Sequence, residues 1–249
     1  MKRKITIFLI SLLIFLFLNT SIIFFTAYFR KLPEPEFPKI TKRATLNGSI
    51  VEYEEPQTIA LANYDDISKH FINAIVAIED HRFYKHHGID LSSILRALIS
   101  NLRSGDIVGS GGSTITQQFA RNAYKFLGQR KLLSRKIAEA ATAIKIEQKY
   151  SKKEILESYC NIIYVGHGLF GVEYAANYYF GKSAKELTLN ESATIAGLLK
   201  SPGYYSPYVS MEKAINNRNI VLTRMAELEY ISLEVAEEEI KKPINLIRE

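Results

Sequence analysis

The 249-residue sequence has one cysteine, no tryptophan and three methionines. A single thiol, Cys160, excludes an intrachain disulfide. With no Cys or His partner at metal-ligand spacing it reads as a buried group packing like a small apolar side chain. There is no repeated unit and no low-complexity tract, which excludes a solenoid or an array. The length does not accommodate two full enzymatic domains, so one catalytic domain is expected. Charge is missing altogether from residues 5–29, where the sequence is apolar apart from Thr, Ser and Asn19. As a helix this run is long enough to cross a hydrocarbon core of about 30 Å.

Lys2, Arg3 and Lys4 precede that run directly. They favour a cytoplasmic N-terminus, against which Arg30 and Lys31 on the far side weigh only in part. A cleaved signal peptide is the alternative, but the run exceeds a typical signal core and no A-x-A site follows. The sequence divides accordingly into a cytoplasmic tip and transmembrane anchor (1–31), a Pro-rich stalk with a short β-leaning segment (32–62), and a catalytic domain (63–249). In the stalk, Pro33, Pro35 and Pro38 favour extended chain. The net charge of +6 suits nucleic acid, an anionic membrane or a phosphorylated substrate. Charge alone does not choose between these, and the anchor weighs for the membrane over nucleic acid.

Residues 41–61 read as a small hairpin turning at Asn47-Gly48. Asp65-Asp66 is a candidate cap for a helix whose Phe71, Ile75, Val76 and Ile78 recur at helical spacing and which ends at Glu79-Asp80. Asp90 caps the next helix, whose stripe of Leu91, Ile94, Leu95, Leu98, Ile99 and Leu102 is expected to enter the core. Residues 105–112 form a Gly-containing loop leading to Ser113, a candidate cap. Ser151 with Glu154 and Thr188 with Glu191 spell capping boxes. Further helices start at Met211 and Leu233. Everything after the stalk and hairpin reads as helix, a mainly α domain.

Three constellations carry chemistry. In "EDHRFYKHHGID", residues 79–90, two carboxylates end an apolar helix. Ile75 and Val76 lie one turn behind Glu79, so partial desolvation is expected to raise its pKa and make it a better proton acceptor near neutral pH. A solvated acidic helix end is the bland alternative. Zinc on Asp80, His81, His86 and His87 is another, with spacing that matches no standard motif. In "GSGGSTITQQFARN", residues 109–122, a glycine loop enters a helix rich in hydroxyl and amide groups, a suitable phosphate cradle that is not a Walker A loop. In "RKIAE", Arg135 and Glu139 share a helical face, which by itself is an ordinary salt bridge. Ser210 and Lys213 fit S-x-x-K, but without S-D-N or K-T-G they read as a helix start.

In this order the three motifs resemble those of the family 51 glycosyltransferases, the peptidoglycan glycosyltransferases that occur alone or as the first domain of bifunctional penicillin-binding proteins. The resemblance covers roughly residues 59–207 and includes "YCNIIYVGHGLFGVEYAANYYFGK" and "LTLNESATIAGLLKSPGYYSPY". It implies a lysozyme-like, mostly helical domain with a smaller membrane-proximal lobe. It implies inverting transfer of a growing lipid-linked glycan to the 4-hydroxyl of lipid II, with undecaprenyl diphosphate leaving. By resemblance Glu79 is the general base, and Glu139 supports the donor side by orienting cations or water. Arg121, where the family often has Lys, joins Arg135 and Lys136 in holding the diphosphate. Ser113, Thr114, Gln117, Gln118 and Asn122 line the donor side, while Asp80, Arg82 and Phe83 shape the acceptor end. No cofactor is obligatory, although Mg²⁺ or Mn²⁺ near the diphosphate occurs in some members. Partners implied are lipid II, the growing strand, membrane lipids and other wall-building proteins, with the domain outside the plasma membrane. A monofunctional enzyme is expected. A lysozyme-like lytic enzyme and a non-catalytic lipid II-binding scaffold are the rival functions.

Overall fold

The computed structural model describes residues 2–33, 42–46, 49–53, 61–104, 112–128 and 132–247, with the side chains of 2–10, 13, 42–46, 49–53, 98, 101–104 and 125 outside that description. The chain opens with α1 (Lys2–Phe29), with Leu12, Phe15, Phe17, Ile22 and Phe25 exposed among its described side chains. Among the described residues, from which the side chains of 2–10 and 13 in α1 are left out, no helix is long and apolar enough to cross a membrane. Most of the proline stalk and the Asn47-Gly48 turn lie outside the described residues. The strands flanking that turn, β1 (Lys42–Leu46) and β2 (Ser49–Tyr53), pair antiparallel with Leu46 opposite Ser49.

Beyond the hairpin the fold is mainly helical. Two helices form its centre, α2 (Lys69–Glu79) and α9 (Leu189–Leu198), packed on each other and on α11 (Met211–Glu227). Every residue of α9 except Glu191 is buried. Its Gly197 lets α11 approach closely, because a Cβ there would stand 3.2 Å from the Asn217 carbonyl carbon. Arg218 of α11 is buried and donates to the carbonyls of Ile240 and Lys242, at and just beyond the end of α12 (Leu233–Lys241). It thereby satisfies orphan acceptors where the helix dipole is negative. A second group joins α4 (Ile115–Ala123) to α6 (Leu132–Lys149) and α7 (Lys152–Ile162), with α5 (Lys125–Gly128) between α4 and α6 in sequence. The end of α1 lies on α6, where Tyr28 bonds Gln148 and Arg30 sits over the Phe126 ring. The helices α8 (Val172–Phe180) and α10 (Pro202–Tyr205) complete the domain.

Local signals match well at Ser151, Thr188 and Ser210, each of which caps the helix expected of it. Four expectations need correction. Asp65-Asp66 forms a single 3-10 turn, Tyr64–Asp66, and the α2 N-cap is Ser68. Thr114, not Ser113, caps α4, in a capping box with Gln117. A second hairpin, β3 (Tyr164–Gly166) with β4 (Leu169–Phe170), interrupts the helical run. On α3 (Leu91–Ser104) the described part of the leucine-rich stripe is not core: Leu91 and Leu95 are 71% and 57% exposed, and Ile94 and Ile99 are exposed as well, while the side chains of Leu98 and Leu102 lie outside the description. The opposite face of α3, with Ser93, Arg96, Ala97 and Ser100, instead lines a cleft.

Candidate active site

The cleft, of about 660 Å³, lies between the end of α2, the start of α4, one face of α3, and Lys200 and Arg224 from the α9–α11 side. Buried Phe71, Ile75 and Val76 fix α2 in the core, so its last residue, Glu79, reaches the cleft at the helix C-terminus. Asp80, the C-cap, turns inward. Its Oδ2 accepts the Ile115 N–H (3.0 Å) and meets Nε2 of His86 (2.9 Å). A carboxylate at the positive end of α4 is favourable, and it ties the two halves of the cleft floor together. Gly88 makes this packing possible. At φ +93° its missing Cβ would otherwise stand 2.6 Å from the Ala143 backbone of α6, a position only glycine fits. Thr114 bonds the Gly88 carbonyl (2.7 Å), fixing α4 against the same turn.

Glu79 accepts a hydrogen bond from Nε2 of Gln118 (2.7 Å), whose Oε1 accepts one from the buried Tyr159 hydroxyl (3.0 Å). Burial pushes the Glu79 carboxyl above the usual range, while the Gln118 bond and the Arg121 charge pull it back down. Desolvation therefore dominates, the direction expected from the apolar turn behind it. His81 shifts the other way: burial, then Arg224 and Arg96, depress its pKa. Asp90 is pushed up by burial, but the Ser93 hydroxyl and backbone, the Ser92 N–H and Arg82 outweigh this and hold it below the usual value.

Behind one wall Glu139 is fully buried on α6, in ion pairs with Arg135 (3.3 Å) and Lys136 (3.1 Å). Lys136 also donates to Ser113 Oγ (2.7 Å), so the third motif reaches the cleft through the second. Deeper still, Glu147 accepts from Thr116 (2.6 Å) and pairs with Lys152 (2.6 Å), which also donates to the His86 carbonyl (2.8 Å).

Of the residues singled out in the sequence, Glu79, Asp80, Ser113, Thr114, Gln118 and Arg121 line the cleft. Asn122 lines a smaller adjoining cavity of about 170 Å³, which shares Gln118, Arg121 and Leu199 with it. Gln117 is occupied in the α4 capping box. Arg82 is engaged with Asp90 (3.1 Å). Phe83 is fully buried beneath the Lys152 ammonium and supports the floor without lining it. Glu139, Arg135 and Lys136 lie outside the lining. Sequence reasoning missed Arg96, Lys200 and Arg224 as site residues: Arg96 and Arg224 lie outside the quoted motifs, Lys200 sits in a later family-like segment with no role assigned to it, and all three reach the cleft through the tertiary fold. Among the described residues no three His, Cys, Asp or Glu side chains group as a metal site. The zinc alternative therefore has no ligand set there.

Residues 47–226 match the family model described as Transglycosylase. The chain is 42% identical to penicillin-binding protein 1A of Aquifex aeolicus, over 99% of this chain and 34% of that protein. It is 48% identical to penicillin-binding protein 1A of Escherichia coli, over 74% of this chain and 21% of that one. Against penicillin-binding protein 2D of Bacillus subtilis the identity is 46%, over 72% and 26%. The chain thus spans about a third or less of the length of these curated relatives.

Proposed function

The chain belongs to the transglycosylase family, the family 51 glycosyltransferases, and we propose on that footing that it polymerises peptidoglycan glycan strands from lipid II with Glu79 as general base. The observation that carries this reading is the Glu79 carboxyl in a polar cleft, desolvated from behind and held by Gln118 within reach of Arg121. A carboxylate with a raised pKa takes a proton from a sugar hydroxyl more readily than an ordinary one near neutral pH. As the hydroxyl oxygen attacks the anomeric carbon of the donor, its proton passes to Glu79 and the bond to the diphosphate breaks on the opposite face, inverting the configuration. Negative charge then grows on the leaving diphosphate. Fixed cations aimed at it stabilise the transition state more than the ground state. Arg121 lines the cleft, while Arg135 and Lys136 stand behind Ser113, oriented by Glu139. Glu139 acts in this reading on the cations and not on the sugar.

Lipid-linked substrates also account for the apolar surfaces. The α1 helix would span about 42 Å at 1.5 Å per residue, and residues 5–29 carry no charge. In this reading it is a single-pass anchor with a cytoplasmic N-terminus, the catalytic domain standing outside the plasma membrane. The exposed leucines of α3 back onto the cleft wall and give a prenyl tail an apolar path beside it. The acidic residues near the cleft do not fit a protein-built Mg²⁺ or Mn²⁺ site, since Asp80 and Asp90 are engaged with His86, Ile115, Arg82, Ser92 and Ser93.

Purified full-length chain supplied with lipid II in detergent should yield glycan polymer. Glu79→Gln should lower the rate by about 10²–10⁴-fold, the range for losing a general base, with lipid II binding retained. Equal polymerisation by the variant would end the assignment, and release of muropeptides from finished sacculi without polymer would favour a lytic enzyme.

A further inference from the structure

We propose that Tyr159 is a positioning residue for Glu79, setting which end of the Gln118 amide faces the carboxylate; this rests on the reading of Glu79 as the base. Tyr159 belongs to α7, is 1% exposed, and its hydroxyl stands 3.0 Å from Gln118 Oε1, while Gln118 Nε2 stands 2.7 Å from Glu79 Oε2. A glutamine amide fills nearly the same space either way round, so its orientation is decided by its partners. Burial, followed by the Glu79 charge, lifts the tyrosine pKa well above its ordinary value, so the phenol keeps its proton. Among the described residues the hydroxyl bonds to Gln118 alone. Turning the amide over would leave the phenol proton buried without an acceptor, a costly state. It would also set two acceptors, Oε1 and the ionised carboxylate, against each other. Tyr159 therefore holds the amide N–H toward Glu79, the orientation that favours the ionised, proton-accepting form.

Without the hydroxyl that bias disappears. The amide oxygen loses its donor, and a turned amide can accept a hydrogen bond from protonated Glu79. The protonated base then gains relative to the ionised one. The other groups facing Glu79 are Arg121 from α4 and Asp80 beside it, with His81, Asp90, Arg96, Lys200 and Arg224 elsewhere on the cleft wall. None of them is altered by removing one phenolic oxygen.

The test is Tyr159→Phe in the full chain, with glutamate carboxyl carbons labelled and titrated by NMR and the Glu79 signal identified by its loss in Glu79→Gln. The expected result is an upward move of the Glu79 midpoint. In polymerisation the acidic limb of the pH profile should move up with it, while the plateau at higher pH changes by about twofold or less. In a Gln118→Leu background, which should itself raise the midpoint, Tyr159→Phe should add nothing. An unmoved midpoint in Tyr159→Phe overturns the proposal, as does an equal further move in the Gln118→Leu background. If Tyr159→Phe does not fold, a Gln118→Leu midpoint that stays in place overturns it as well. The titration needs no substrate, so failure of wild type to polymerise lipid II would sink the base assignment without deciding this result.

Discussion

Helices α2 and α3 carry comparable apolar stripes and both border the cleft, yet one is sealed and the other is bare. On α2, Phe71, Ile75 and Val76 vanish between α9 and α11. On α3, Leu91, Ile94, Leu95 and Ile99 face outward, while the polar face turns to the cleft. Periodicity at 3.6 residues says that a helix has an apolar face, not what covers it. The two helices also meet the cleft with opposite carboxylates. Glu79, at the end of α2, is unsatisfied enough for burial to dominate, whereas Asp90, just before α3, is saturated with hydrogen bonds.

The largest expected difference is in stability. Phe71→Ala should lower the unfolding free energy by about 3–5 kcal/mol, read by denaturant titration of the full chain in detergent. Comparable losses from Leu95→Ala would show that the α3 stripe is covered after all. Next come the carboxylates, which should depend on pH with opposite signs. Asp90→Ala should cost about 1 kcal/mol at neutral pH as a lost cap. Because its folded pKa is below the ordinary 3.8, the stabilisation it provides is complete above that value and fades as pH falls through the folded one. Glu79 has a folded pKa above the ordinary 4.5. The folded chain therefore holds its proton longer than the unfolded chain, and stability declines as pH rises through that interval. Glu79→Gln should accordingly raise Tm at pH 7 and lose that advantage below about pH 4, so thermal melts across pH that move both variants the same way would break the contrast. The smallest stability effect belongs to Leu95→Gln with Ile99→Gln, within about 0.5 kcal/mol for exposed positions. The same pair should weaken retention of the chain on lipid vesicles, and unchanged retention would remove α3 from the membrane-facing surface.

What could be read from the sequence was local. The capping boxes at Ser151 and Thr188 and the apolar run ending in Glu79 depend on residues three or four apart, and each appears where expected. The short β3–β4 hairpin escaped because two to three residues per strand give no alternation to detect. At the site, motif residues within 79–122 were legible, and most of them line the cleft. Lys200 and Arg224 arrive from more than 75 residues further along the chain, a distance no periodic pattern spans. Tyr159 was hidden for the same reason, since nothing near it in sequence hints that its hydroxyl ends on Gln118. Phe83 misled in the other direction. The resemblance sets it at the acceptor end of the cleft, but the 3-10 turn Phe83–Lys85 puts the ring beneath Lys152.

The seam between α1 and α6 makes the leading helix a lever with no slack. Tyr28 on Gln148 and Arg30 over Phe126 clamp its last turn, and the helix it grips also bears Glu139, Arg135 and Lys136 near its other end. Tilt or roll imposed on α1 would reach those charges through a single rod, so the pose of the leading helix and the placement of the third-motif cations become mechanically linked quantities.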